Sequence, residues 1–287
     1  MSFKTFFDSS KMLAEKLITF GGKAYPKFGN ILILGGGSGS GKGYQIKNLI
    51  GLEGKTIDVD RLKELALKSP LMLAKYPELK NVNLKKPEDV FLVHNIVNKK
   101  EKLNTKMTTA LKKSIFTSTT QLPNLIFDTT LHEIDKLKEI SEMALDLGYQ
   151  KQNIHIVWVL NDIEVARQQN KERSRVVPDD ILLQAHAGAS KTFAEIIHDS
   201  ETTRKYMDGD IWISFNVADK DVGMEVPSNK RPGEFGKWMK GSKTAGNYVN
   251  KADYIKVKSQ GKPVESSKIL TQEILKKIKS YVPGGKF

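Results

Sequence analysis

The sequence contains no cysteine, which excludes a disulfide framework and any thiolate metal site and leaves the redox compartment unforced. Long apolar runs are also missing. The longest, such as Ile31 to Leu34 and Ile154 to Leu160, fall far short of the roughly 20 residues that cross a bilayer, so no membrane span is expected. Asp8, Lys11, Glu15 and Lys16 interrupt the apolar residues between Phe3 and Ile18, which excludes a signal-peptide core. Residues 1–28 read instead as an N-terminal amphipathic helix, and the default location is cytoplasmic. No internal repeat is found. Acidic residues are scarce: 33 Asp and Glu face 46 Lys and Arg, a net charge of +13. Residues 221–287 hold fourteen Lys and Arg against six Asp and Glu, so +8 of that excess lies in the last quarter. Such asymmetry suits a polyanionic partner, and equally a lysine-rich surface that serves solubility.

What the chain does have is length and pattern. With 287 residues, 39% of them hydrophobic, it can bury a sizeable core. Short β-branched runs alternate with longer segments of helical period, which predicts an α/β fold: a parallel sheet of about five strands flanked by helices. The strands are expected at 31–34, 56–59, 124–128, 154–160 and 211–217. Between the second and third, Val90, Leu92, Val93, Ile96 and Val97 share one helical face. The helix "HEIDKLKEISEMALDLG" is expected to end at Gly148. One domain then spans 29–220. Beyond it, 221–287 reads as a basic, loop-rich extension with a strand at "DYIKVKS" and a last helix around 266–281.

Residues 36–42, "GGSGSGK", satisfy G-x-x-x-x-G-K between a predicted strand and a predicted helix. Glycines let successive backbone N–H groups curl around phosphate oxygens, the helix N-terminus adds partial positive charge, and Lys42 reaches the outer phosphates. The candidate nucleotide cradle is Gly36, Gly37, Ser38, Gly39, Ser40, Gly41, Lys42, Gly43 and Tyr44. A flexible Gly/Ser turn is the plainer reading. Gly43 stands where many such loops carry a Ser or Thr that ligates Mg²⁺. It resembles the loop of adenylate-kinase-type enzymes, where a glycine also follows the lysine. That resemblance implies a metal held largely by phosphates, water and more distant carboxylates.

Carboxylates follow the next two strands. In "TIDVDRLKEL", Asp60 is placed to act as general base or to orient an acceptor hydroxyl, Arg61 to hold an anionic group, and Asp58 to face the same side. A helix N-cap is the alternative role for Asp60. In "NLIFDTT", Asp128 can serve the Mg²⁺ shell or the acceptor, with Thr129 and Thr130 nearby; here too a helix cap is the alternative. After the fourth strand, Arg167, Arg173 and Arg175 lie within nine residues. Planar arginines on a lid suit the neutralisation of a transferring phosphoryl group better than lysines would. The alternative is a solvated face paired to Glu164 and Glu172, and at least one of the three is expected to be structural. Asn216, past the fifth strand, is expected near a bound purine.

Together the loop 36–43, "DVDRLK", "LIFDTT" and "RQQNKERSRVVPDDIL" resemble the zeta-toxin group of P-loop kinases over roughly residues 29–200. The resemblance implies ATP and Mg²⁺ as cofactors, Lys42 on the phosphates, Asp60 as base, Arg61 on the acceptor, and Arg173 and Arg175 in the lid. The sequence departs from that group in Gly43, in the long segment between Leu62 and Asn124, and in the basic tail. The expected activity is transfer of the ATP γ-phosphoryl to a hydroxyl. The acceptor is a small metabolite on the strength of the resemblance, or a nucleic-acid hydroxyl on the strength of the tail. There Phe235, Trp238, Tyr248 and Tyr254 either stack on bases or anchor the tail to the core. The competing class is a non-catalytic nucleotide- or nucleic-acid-binding module.

Overall fold

The computed structural model describes residues 18–23, 26–117, 121–173, 175–198, 200–217, 239–240, 251–259 and 262–263. Five parallel strands form the sheet: β1 (Ile31–Gly35), β2 (Lys55–Asp58), β3 (Leu125–Asp128), β4 (Ile154–Asn161) and β5 (Ile211–Val217), in the order β2-β3-β1-β4-β5. Three further strands, β6 (Met239–Lys240), β7 (Lys251–Ser259) and β8 (Lys262–Pro263), extend it, with β7 antiparallel to β5. All five expected parallel strands are present, and the expected strand "DYIKVKS" lies in β7, which carries the sheet past residue 220.

Because β1 is central, it is apolar on both faces and buried throughout. Its residues divide by the period of two: Ile31 and Ile33 enter one core, Leu32 and Leu34 the other. The first core receives α6 (Ile134–Asp146) and α8 (Asp179–His198), where Trp158 stacks on Phe193 at 4.4 Å between ring centroids. Such a stack contributes about 0.5–1.5 kcal/mol beyond area burial. The second core receives Tyr44 from α1 (Lys42–Asn48), together with Leu49, Ile50, Ile18 and Phe20.

Between β2 and β3 the chain builds an all-helical insert. It comprises α2 (Val59–Lys68), α3 (Pro70–Lys75), α4 (Pro87–His94), a π-helical turn Asn95–Lys100 and α5 (Leu103–Thr117). The insert has a small core of its own, Ala66, Leu79, Val93, Ile96 and Val97. The predicted apolar face of α4 thus packs within the insert. The remaining helices are α7 (Ile163–Glu172) and α9 (Ser200–Tyr206). As expected, α6 closes at Gly148, whose φ of 93° suits glycine.

The N-terminal expectation meets a different structure where it is described. Ile18 and Phe20 are in extended bridges, because the Ile18 N–H donates to Leu49 O (3.0 Å) and the Gly51 N–H donates back to Ile18 O (2.9 Å). Residues 1–17, the helix expected at 266–281, and Phe235, Trp238 and Tyr248 lie outside the described residues. Tyr254 is buried against Trp212, ring centroids 6.0 Å apart, so this tail aromatic anchors the sheet and is unavailable for stacking on bases. Among the described residues no helix is long and apolar enough to cross a membrane.

Candidate active site

In an open parallel sheet, ligands bind beyond the carboxyl ends of the strands where the connections diverge. That point is here the end of β1, flanked by β3 and β4. The chain leaves it through residues 36–41 and enters α1. Gly41 caps the helix at φ 90°, a left-handed conformation a side chain would strain. The first N–H used within the helix is that of Gln45, which donates to Gly41 O (3.2 Å). The N–H groups of Lys42, Gly43 and Tyr44 therefore have no intrahelical acceptor.

Four side chains from elsewhere hold the loop. Asn161 Nδ2 donates to Gly39 O (2.9 Å), and Asn216 Nδ2 donates to Ser40 O. Asn216 Oδ1 in turn accepts from Gln45 Nε2 (2.5 Å). These two asparagines are register partners at the ends of β4 and β5. Asn216 is thus spent under the loop, fully buried, and does not take the position beside a purine expected of it. From α8, His186 Nε2 donates to Ser38 O (2.8 Å). Burial, reinforced by the charge of Lys42, holds His186 below its ordinary pKa, so it packs as a neutral ring. From beyond α7, Arg173 Nη1 donates to Ser38 Oγ (2.7 Å).

Lys42 Nζ donates to Gly36 O (2.8 Å) and Gly37 O (3.2 Å) and sits 3.7 Å from Asp128 Oδ1. The loop lysine and the carboxylate ending β3 are therefore in contact. Asp58 ends the neighbouring strand in register with Asp128. Asp60 lies in the first turn of α2, and its side chain is outside the described residues; β2 ends at Asp58 because helix begins at Val59, so the two acids do not share one strand. The Thr129 hydroxyl accepts from the Leu131 N–H (3.2 Å), closing a tight turn in which Leu131 has φ 50°.

The three lid arginines separate in role. Arg167 forks to Asp179 (Nε–Oδ1 2.7 Å, Nη2–Oδ2 2.9 Å) and also pairs with Glu164, so it is the structural member of the set. Arg173 and Arg175 line the cleft. The segment between them and α8 is pinned by Asn170, whose side chain accepts from the Val177 N–H (3.0 Å) and donates to its carbonyl (2.6 Å). The Val176 N–H donates to Leu84 O (3.0 Å), tying the lid to the insert.

These groups surround one cavity of about 1250 Å³. Its walls are the loop from Ser38 to Tyr44, Asp58, Arg61, Asp128, Thr129, Thr130, Arg173 and Arg175, the insert and α6. Arg167 and Asn216 lie outside that wall; the other expected site residues whose side chains are described lie in it or in the loop that forms it. His186, Asn161 and Gln45, which brace the loop, gave no motif signal; only an Asn at the end of each of two apolar strands, "VLND" and "SFNV", hinted at it.

The donor set fits a nucleotide triphosphate. The loop approaches its neighbours so closely that a Cβ added at Gly37 would meet His186 at 2.2 Å, and it presents N–H groups and a lysine as a phosphate cradle does. For a metal the fit is looser. Among the described residues no cluster of three His, Asp, Cys or Glu could hold one, so Mg²⁺ would be carried chiefly by the phosphates with Asp128 beside it.

No family model matches the chain, and no curated protein matches its sequence. Solved structures do resemble it. One is from the PezAT chromosomal toxin–antitoxin system of Streptococcus pneumoniae (17% identity, 73% of this chain and 74% of that one, TM-score 0.35). Another is the AvrRxo1-ORF1:-ORF2 structure with ATP (11% identity, 94% and 70%, TM-score 0.42). A third is deoxyadenosine kinase from M. mycoides with products dCMP and dCDP bound (16% identity, 66% and 90%, TM-score 0.31). At this distance the similarity carries no activity over, and the functional reading rests on the cleft itself.

Proposed function

We propose that the protein is an ATP-dependent phosphotransferase that moves the γ-phosphoryl group to a hydroxyl. The observation that supports it is convergence: a loop lysine, two strand-end carboxylates and two lid arginines from four separate chain segments line one cleft. In the reaction the acceptor oxygen bonds to the γ-phosphorus, the bond from that phosphorus to the bridging oxygen breaks, ADP leaves with the bonding pair, and the hydroxyl proton passes to a carboxylate. Asp60 takes that proton, Asp58 orients the hydroxyl, and Arg61 holds the acceptor. Lys42, Arg173 and Arg175 neutralise charge on the transferring group, which is where most of the catalysis of phosphoryl transfer lies. Mg²⁺, when bound, supplies further charge neutralisation between the phosphates. Arg173 is held at the loop by its hydrogen bond to Ser38 Oγ, within the same cleft wall.

The test is transfer of label from [γ-³²P]ATP to a panel of nucleosides, nucleotide sugars and hydroxyl-ended oligonucleotides. Label should appear on one class and vanish in Lys42→Ala and Asp60→Asn proteins that remain folded. Absence of any transfer or ATP turnover in the wild-type protein would leave a non-catalytic nucleotide-binding module as the better description.

A further inference from the structure

We infer that the helical insert binds single-stranded nucleic acid and leads its hydroxyl into the cleft, which makes the acceptor a polynucleotide. The inference rests on the phosphotransferase reading for the last step only; the binding surface stands on its own observations.

Residues 59–117 carry thirteen Lys and Arg against six Asp and Glu, a local +7. Of that charge Arg61, Lys63 and Lys112 line the cleft, whereas the described strands of the basic tail are paired into the sheet. Aromatics interleave with the lysines. Phe91 lines the cavity yet is 60% exposed, an unusual state for a phenylalanine unless something covers it, and Lys99 Nζ stands 5.9 Å from its ring centroid. Further out, Lys75 and Lys100 both stand over Tyr76, at 5.5 and 5.6 Å.

Glu101 fixes this outer cluster. Its carboxylate accepts from Lys75 (2.5 Å), the Tyr76 hydroxyl (2.7 Å) and Lys106 (3.2 Å), which hold its pKa down at about 2. One acid thus anchors two lysines and a tyrosine on the insert. The π-helical turn, closed by the Glu101 N–H on Ile96 O at 2.8 Å, carries Lys99 of the first cluster and Lys100 of the second; such turns are frequent at functional sites. Inside the cavity Asn98 donates to His94 Nδ1 (3.3 Å) while its own Oδ1 is buried without a partner among the described residues.

Rings on which bases stack, flanked by lysines that track a backbone, are what sequence-tolerant single-strand binding requires. A small metabolite would need the cavity wall but not the lysines beyond it.

The experiment measures fluorescence anisotropy of a labelled single-stranded oligonucleotide of about 12 nucleotides with the full chain, without ATP, across a salt series. Each lysine lost from the contact should flatten the salt dependence by about 0.7 in log–log slope, so Lys99→Gln/Lys100→Gln should lower it by about 1.4. Phe91→Ala, at an exposed position, should weaken binding roughly 5- to 150-fold with the slope unchanged. No binding by the wild-type protein, or binding indifferent to all three substitutions, overturns the inference. Label transfer to a small molecule without oligonucleotide binding would do the same while leaving the kinase reading intact. Binding that follows Phe91 and the lysines, without transfer to any acceptor, would uphold the surface and overturn the kinase reading instead.

Discussion

Replacing Gly37 by alanine tests how the loop is held. Gly37 has no unusual φ, so backbone strain is not at issue; the conflict is with a side chain. The added Cβ would lie 2.2 Å from His186 Cδ2 and 2.4 Å from Cγ and Nε2, well inside any real contact. His186 is itself buried and cannot yield without breaking its 2.8 Å hydrogen bond to Ser38 O. Overpacking costs about 1–3 kcal/mol, and a buried acceptor left unpaired adds about 1–3 kcal/mol. Gly37→Ala is therefore expected to lower stability by about 2–6 kcal/mol and to weaken ATP binding. His186→Ala removes the ring but keeps the glycine. In the double variant the methyl group has room, so its stability should match His186→Ala within about 0.5 kcal/mol. Chemical denaturation of all four proteins reads this directly. If the two single losses simply add, the ring is not what Gly37 avoids and the account of the loop fails.

Other outcomes follow from the same geometry. Arg173→Ala should lower the rate of transfer by roughly 10³-fold, whereas Arg167→Ala, which breaks a surface pair, should cost at most about 1 kcal/mol of stability and spare the rate; equal rate losses would refute the division of roles. Gly43 has nothing within 4 Å of an added Cβ, so Gly43→Ser should fold with stability changed by less than about 0.5 kcal/mol and reach full ATP turnover at lower Mg²⁺, measured by titrating the metal. His155 is fully buried, accepts from the Asp210 N–H at Nδ1 (2.9 Å), and is held below its ordinary 6.5 chiefly by burial. The unfolded chain therefore takes up a proton before the fold does. The stability this confers is complete above about pH 6.5 and declines as pH falls below it, seen as a drop in denaturation midpoint that His155→Asn should blunt.

The sheet was legible because its strands are short, apolar and bounded by loops, and because β1 is buried on both faces. The strand, glycine loop and helix around residues 31–48 were legible because the glycines fall between an apolar strand and a helical pattern. What holds that loop was not: His186 lies 148 positions from Ser38, and a neutral histidine on a helix face carries no local signature. Asn216 was found at the right strand end but given the wrong partner, since a side-chain amide shows its position in sequence and not which way it hydrogen-bonds. Asp58 and Asp60 looked like neighbours on one strand, yet the backbone turns helical at Val59. The insert read as a helix with an apolar face; that it packs on itself, leaving Phe91 at the cleft, depends on contacts between helices that periodicity does not encode.

The pairing of β7 with β5 has a consequence for how the chain comes into being. During synthesis β5 emerges with one edge open, its N–H and C=O groups unmatched, and it stays so until residues 251–259 have followed. That edge of the sheet is therefore completed only once residues 251–259 have left the ribosome. Termination before residue 251 would release a sheet with a bare edge, ready to pair with another such chain.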